Sequence, residues 1–338
     1  MAVIGAGAWG TTLALHAARQ GLLVKLWARR PELADQIQKD RENPAFVPGQ
    51  KLPSTMVVSS DPVEVVKGAS LIIWVVPSHA FRSVCRLFLP AASPKAVHVS
   101  ASKGIEDETF STMTSILAQE ADYPVKAGVL SGPSFAKEVA KGLPTAVTLA
   151  FRDEATGNFV QSLLSAPVFR LYTSQDVLGA ELGGALKNVY AIAAGISDGL
   201  ELGLNARASL ITRSIAEMSR IAKVMGANPL TVSGLSGAGD LILTATGELS
   251  RNRRVGLRLG SGEKLEDILY GTHEVAEGVK NAKSVWGLAQ TKEVSAPTAR
   301  EVFRVLYEGK QPRQGMVDLL TRRLKQELPS EILAQALL

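Results

Sequence analysis

Lys187 sits within GALKNVYAIAAG (184–195), among small and apolar side chains. An ammonium group in such a run has two readings. It either snorkels from a buried helix to water, or it is kept out of water to hold and release a proton. Desolvation and a second nearby cation lower a lysine pKa from about 10.4 toward neutrality, which opens the second chemistry. In a helix, Gly183, Gly184, Tyr190, Ala191 and Ala194 lie on or beside the Lys187 face, at spacings of three, four and seven. Small residues there admit another element or a ligand. The stretch GLSGAGDLILTATGELSRNRR (234–254) holds a further concentration of chemistry. It opens glycine-rich, carries Asp240, and ends with Ser250, Arg251 and Asn252. A hydroxyl, a bidentate cation and an amide in succession suit a phosphate or another planar anion, although charge runs also form solvated faces.

The opening AVIGAGAWGTTLALHAARQG places Gly5, Gly7 and Gly10 in a G-x-G-x-x-G between a strand and a helix. Gly5 permits the tight turn, Gly7 lets the backbone approach a pyrophosphate, and Gly10 allows close packing of a helix whose N-terminus favours anions. After the second strand, Arg29 and Arg30 stand where an acidic residue marks proteins that prefer NAD. A guanidinium binds a 2′-phosphate that a carboxylate repels, so NADP(H) is expected to be accepted unless both arginines simply face water. Ligands of doubly wound sheets gather where strands end. There stand Pro77 and Ser78, Lys103 before Gly104, and the turn Gly132-Pro133-Ser134. Glu277, in THEVAEGVKNA, reads by itself as a helix-surface residue.

These groups need a frame. Short β-branched runs alternate with helix-like segments through the first half, the pattern of a parallel sheet wound by crossover helices. Strands are expected at AVIG, LLVKLW, MVVS, SLIIWVV, AVHVS, KAGVLS, TAVTLA and VFRLYT. From about Asp176 apolar residues recur three and four apart, as in ARASLITRSIAEMSRIAKVMG. The fold class is therefore α/β, with a doubly wound dinucleotide-binding domain at 1–175 and a helical domain at 176–338. With 338 residues, 46% of them hydrophobic, the chain can bury sizeable cores. One cysteine, Cys85, permits no internal disulfide, and no stretch shows metal-ligand spacing. No apolar run approaches the roughly 18 residues of a membrane span, and no signal core follows the N-terminus, so a cytoplasmic protein is expected. The formal charge of +5 is scattered and only 5% of residues are aromatic, which argues against nucleic acid and fits a small anionic ligand.

The segments VIGAGAWGTTLA, NPAFVPGQKLP, SASKGIE, LSGPSFAKEVA, ELGGALKNVYAIAAGISDGLELGLNARASLITRSIAEM, GLSGAGDLILTATGELSRNRRVG and VAEGV span nearly the whole chain. In this order they resemble the bacterial NAD(P)-dependent sn-glycerol-3-phosphate dehydrogenases. The resemblance implies reversible hydride transfer between NAD(P)H and dihydroxyacetone phosphate, giving glycerol 3-phosphate for phospholipid synthesis. It makes Lys187 the catalytic lysine, acting with Lys103 and Asp240. It puts Lys103, Gly132, Ser134, Asp240, Ser250, Arg251 and Asn252 on the substrate side. It puts Trp9, Arg29, Ala136, Val275 and Glu277 on the cofactor side, with Lys103 and Arg251 also near the cofactor. A Rossmann-like sheet, a helical second domain and a homodimer follow from the same resemblance.

Three positions depart from the pattern. Ala8 lacks the hydroxyl that relatives often carry near the pyrophosphate, although its amide remains. Arg30 stands where relatives vary. Only four residues precede Gly5, so the first strand is expected to lack its usual lead-in. Two other functions compete. A 2-hydroxy-acid dehydrogenase needs a histidine base held by a carboxylate, and His16, His79, His98 and His273 stand in no such setting. A regulator that only senses the dinucleotide needs the glycine loop but not Lys187, Asp240 and Arg251.

Overall fold

The computed structural model describes residues 1–270, 276–324 and 326–327. Strands form at all the expected runs: β1 Ala2–Ile4, β2 Val24–Trp27, β3 Met56–Ser59, β4 Leu71–Trp74, β5 Val97–Ser100, β6 Lys126–Ser131, β7 Thr145–Phe151 and β8 Phe169–Ser174. Among the described residues they make one sheet in the order β3-β2-β1-β4-β5-β6-β7-β8. β1 is short but paired on both sides, with Val3 between Leu26 and Ile73. The strand order reverses at β1, the kind of switch point beside which α/β sheets bind ligands.

A parallel sheet throughout is corrected at the far edge, where β7 runs antiparallel to β6 and β8 runs parallel to β7. The physical reason is the connection. The link from β6 to β7 contains a helix of only five residues, Ala136–Ala140. At about 1.5 Å per residue it is far shorter than the roughly 20 Å of a six-residue strand, so it cannot serve as the covering crossover helix that joins parallel neighbours.

Helices α1 Ala8–Arg19, α2 Pro31–Asp40, α3 Pro62–Val66, α4 Phe81–Phe88, α5 Met113–Glu120, α6 Ala136–Ala140 and α7 Glu154–Leu164 cover the two faces of the sheet. Separate apolar clusters fill the spaces, one around Leu15, Leu26 and Ile73, the other around Ile4, Ile72 and Trp74. From Val177 the described residues contain helices and no strand: α8 Val177–Gly199, α9 Gly203–Val224, α10 Pro229–Ser233, α11 Asp240–Thr246, α12 Arg251–Gly260, α13 Leu265–Leu269, α14 Glu277–Thr291, α15 Pro297–Tyr307 and α16 Pro312–Leu320. Among the described residues no helix is long and apolar enough to cross a membrane.

The long helix α8 is the axis of the helical part. Asp176 starts it, its Oδ1 accepting from Gly179 N at 2.9 Å. It is buried nearly end to end, and Leu182, Leu186, Val189 and Ile192 each contribute about 1.5–3 kcal/mol by leaving water. α12 lies against it at backbone distance. A methyl group at Gly195 would sit 2.1 Å from Arg253 O, and one at Gly256 would sit 2.0 Å from Ile192 O. The two helices can meet this closely only because both positions lack a side chain. This contact brings the start of α12 beside the middle of α8.

Candidate active site

Lys187 lies halfway along α8 and is 7% exposed. An isolated ammonium there would cost several kcal/mol, so its partners decide whether the site is tolerable. Nζ donates to Asp240 Oδ1 at 3.0 Å and to Thr244 Oγ1 at 2.7 Å. Lys103 donates to the other carboxylate oxygen, Oδ2, and to Gly132 O at 3.2 Å. Two ammonium groups therefore share one buried carboxylate. The cluster forms because Asp240 opens α11 directly after a π-helical turn, Leu235–Gly239, a distortion often found at functional sites. That turn reaches α8 through Gly183, where a methyl group would lie 2.7 Å from Ser236 O. The small residues beside Lys187 thus admit a protein element. Gly184 admits Lys103 and Ser131 in the same way, with Ser131 Oγ 2.6 Å from the place of a methyl group.

The electrostatics follow from this packing. Burial pushes the Lys187 pKa down; Asp240 opposes that, Lys103 reinforces it, and the result is about 8. Asp240 stays below the ordinary aspartate value, because the two lysines outweigh its burial. Glu277, the first residue of α14, is half-buried rather than on a free helix surface. Burial pushes its carboxyl up to about 7 against the pull of Lys103, Lys187 and Arg251.

The glycine loop has the geometry that its spacing requires. Gly5 has φ +119°, and a methyl group there would lie 2.3 Å from Val75 O; one at Gly10 would lie 1.8 Å from Gly5 O. Around Gly7 nothing lies within 4 Å of the same position, so the backbone is open to a ligand. Ala8 begins α1, whose first turn carries no acidic residue, and Trp9 Nε1 is buried without a partner among the described residues. An anion-accepting helix end beside an orphaned indole donor fits a dinucleotide phosphate. Arg29 and Arg30 are exposed just beyond β2, outside the lysine cluster. The turn after β6 joins loop and cluster. Ala136 O accepts from Thr12 of α1 at 3.2 Å, Gly132 O accepts from Lys103, and Ser134 Oγ donates to Gly132 O at 3.0 Å.

The SRN run lies at the start of α12. Ser250 caps the helix, its Oγ accepting from Arg253 N at 3.1 Å. Arg251 is exposed and close enough to act on the Glu277 carboxyl. Asn252 is buried and spends its amide inside the protein. Nδ2 donates to Asn188 Oδ1 at 2.8 Å, and Oδ1 accepts from Gly278 N at 2.9 Å, tying α8, α12 and α14 together. Arg253 is taken by Asp198, with Nε at 2.9 Å and Nη2 at 2.7 Å from Oδ2. Val275 and His273 lie outside the described residues. His16 Nε2 meets Leu164 O at 2.7 Å, and His98 stacks on Trp74 and is pushed down to about 4 by burial.

Sequence reasoning missed Thr244 and Asn188. Thr244 is signalled in DLILT by its spacing of four from Asp240, which stacks the two on one helix face. Asn188 carries no such signal.

Two family models match the chain: the NAD-dependent glycerol-3-phosphate dehydrogenase N-terminus over residues 1–157 and the corresponding C-terminus over residues 176–317. The glycerol-3-phosphate dehydrogenase [NAD(P)+] of Desulfotalea psychrophila is 51% identical over 332 residues, covering 97% of this chain and 98% of that protein. That of Geobacter metallireducens is 50% identical over 328 residues, covering 96% and 98%. The crystal structure of glycerol-3-phosphate dehydrogenase from Coxiella burnetii superposes with a TM-score of 0.92 at 40% identity, covering 95% of this chain and 98% of that one.

Proposed function

The chain belongs to the NAD-dependent glycerol-3-phosphate dehydrogenase family, and from that premise we propose that it interconverts dihydroxyacetone phosphate and sn-glycerol 3-phosphate with NADP(H) or NAD(H). When bound, the nicotinamide supplies or accepts the hydride. The observation that carries the reading is the buried Lys187 ammonium, aimed by Asp240 and Thr244 and flanked by Lys103. Reduction of a ketone puts negative charge on its oxygen, so a proton and positive charge must already be aimed there. Lys187 holds the proton, and its pKa of about 8 lets it give the proton up near neutrality. Lys103 adds the second positive charge, and Asp240 keeps both ammonium groups in place.

The substrate phosphate is assigned to the start of α12, where the Arg251 side chain and the Arg251 and Asn252 amides offer charge and donors at a helix N-terminus. Ser250 preserves that end as its cap, and Asn252 serves through its backbone while its side chain braces three helices. Gly132 and Ser134 border the ketone side beside Lys103. Gly5, Gly7, Ala8, Trp9, Gly10, Ala136 and Glu277 are assigned to the cofactor, as is Val275. Arg29, with Arg30 next to it, is assigned to the 2′-phosphate of NADP(H). The same reading has a cytoplasmic homodimer supplying the phospholipid backbone, with neither nucleic acid nor membrane as partner. A sedimentation mass of one chain at working concentration would remove the dimer.

The direct test is oxidation of NADPH, and separately NADH, on addition of dihydroxyacetone phosphate. No oxidation with either cofactor overturns the enzymatic reading and leaves a protein that only senses the dinucleotide. In the same assay Arg251→Ala is expected to raise the KM for dihydroxyacetone phosphate about 10- to 100-fold, the effect of losing one charged hydrogen-bonding group, with a smaller change in kcat. An unchanged KM removes Arg251 from the phosphate site.

A further inference from the structure

The segment NPAFVPGQKLP (43–53) takes no part in the site described above, yet it contains a fully buried polar side chain pressed against the glycine loop. Asn43 is 0% exposed. Its Nδ2 donates to Ala6 O at 2.9 Å and to Thr11 Oγ1 at 2.8 Å. The amide can face only this way, because Ala6 O is an acceptor and the side-chain oxygen in its place would meet it unprotonated. Oδ1 is buried with no partner among the described residues. A buried amide that leaves its own carbonyl unpaired lowers stability, so its place here calls for another reason.

Peptide geometry supplies that reason. The Ala6–Gly7 peptide is planar and trans, so its C=O and N–H point in opposite directions. Holding Ala6 O on Asn43 turns the Gly7 N–H away from Asn43. Gly7 is also the residue of the loop with open space beside it. The second bond, to Thr11, fixes the same amide to the first turns of α1, whose Thr11 N in turn donates to Gly7 O at 2.9 Å. Loop, helix start and Asn43 therefore form one closed set of hydrogen bonds. The chain on either side of Asn43 is itself held: Val47 N donates to Asn43 O at 2.8 Å, and Leu52 N donates to Arg41 O at 2.8 Å.

We infer that Asn43 is a positioning residue for the cofactor: by fixing the Ala6–Gly7 peptide plane it aims the Gly7 amide at the dinucleotide pyrophosphate. This rests on reading the glycine loop as the dinucleotide site. Asn43 touches neither the lysine cluster nor the SRN run, so its effect should fall on cofactor binding and leave the ketone chemistry alone.

The test is a fluorescence titration of full-length wild type and Asn43→Ala with NADPH, beside a competition titration with adenosine 2′-monophosphate, which has no pyrophosphate. Asn43→Ala is expected to weaken NADPH binding about tenfold, leaving 2′-monophosphate affinity and the kcat at saturating NADPH within about twofold of wild type. Asn43→Asp, which sets a carboxylate against Ala6 O, is expected to weaken NADPH binding further. Unchanged NADPH affinity in a folded Asn43→Ala protein overturns the inference, as does an equal loss for both ligands, which marks general damage to the fold. Where Asn43→Ala fails to fold, Thr11→Val removes one end of the brace, and a two- to threefold loss confined to NADPH is then required. Wild type that binds neither NADPH nor NADH refutes the dinucleotide site itself, a different result.

Discussion

Lys187→Ala is expected to lower kcat by about 10⁴-fold while the Kd for NADPH stays within about threefold of wild type. The size combines two losses. Removing a positioned proton donor costs roughly 10²–10⁴-fold, and removing a preorganised charge beside the developing alkoxide costs about 10²–10³-fold; the two are not independent. The protein should survive the change. Asp240 keeps its ion pair with Lys103, so no carboxylate is left buried and unpaired. Cofactor affinity should survive too, because the glycine loop and α1 are held by Val75, Asn43 and Ala136 rather than by α8. Single-turnover rates with bound NADPH, read beside a thermal melt, provide the check. A variant retaining more than a tenth of the wild-type kcat removes Lys187 from proton transfer.

Asp240→Asn should act on the pH profile as well as on the rate. The carboxylate raises the Lys187 pKa, whereas Lys103 and burial lower it, with the balance at about 8. In the proposed reaction the ketone is reduced by way of the protonated lysine, so the wild-type rate should hold below pH 8 and fall above it. Without the carboxylate, both ammonium groups lose their shared counter-charge and the Lys187 pKa drops. The alkaline limb of the reduction profile must therefore move to lower pH, and the onset of glycerol 3-phosphate oxidation, which needs the neutral amine, must move the same way. A fall in kcat of about 10²–10³-fold at pH 7 accompanies the shift, since the proton donor is both less charged and less well aimed. A limb that stays in place or moves upward contradicts the coupling. Breaking a buried pair from one side typically costs about 3–5 kcal/mol, so folding must be verified in the same preparation.

Much of this protein is readable from local pattern. All the expected strands form, because β-branched runs between polar turns meet the same steric rule wherever they stand. The three glycines of the opening loop differ in the space around them, closed at Gly5 and Gly10 and open at Gly7. The small residues flanking Lys187 do admit a neighbour, and the neighbour is another part of the chain. Local pattern does not show how a side chain is spent. Asn252 reads like a ligand-binding group, and its side chain is held by Asn188 and Gly278, which leaves its backbone amide at the start of α12.

By itself the sequence determined the element types, the dinucleotide loop and the inventory of charged groups, since these depend on backbone sterics and periodic burial over a few residues. It also determined the family, through segments that run in order along the chain. The tertiary structure alone decided which groups meet. Asp240 lies 53 residues from Lys187 and 137 from Lys103 along the chain, and no local spacing joins them. Backbone contact at Gly183 and a π-helical turn bring the carboxylate to α8, and its position between two ammonium groups then sets the Lys187 pKa. The reversal at β7 and the brace from Asn43 to the glycine loop have the same origin: packing over long range chooses among partners that sequence leaves equivalent.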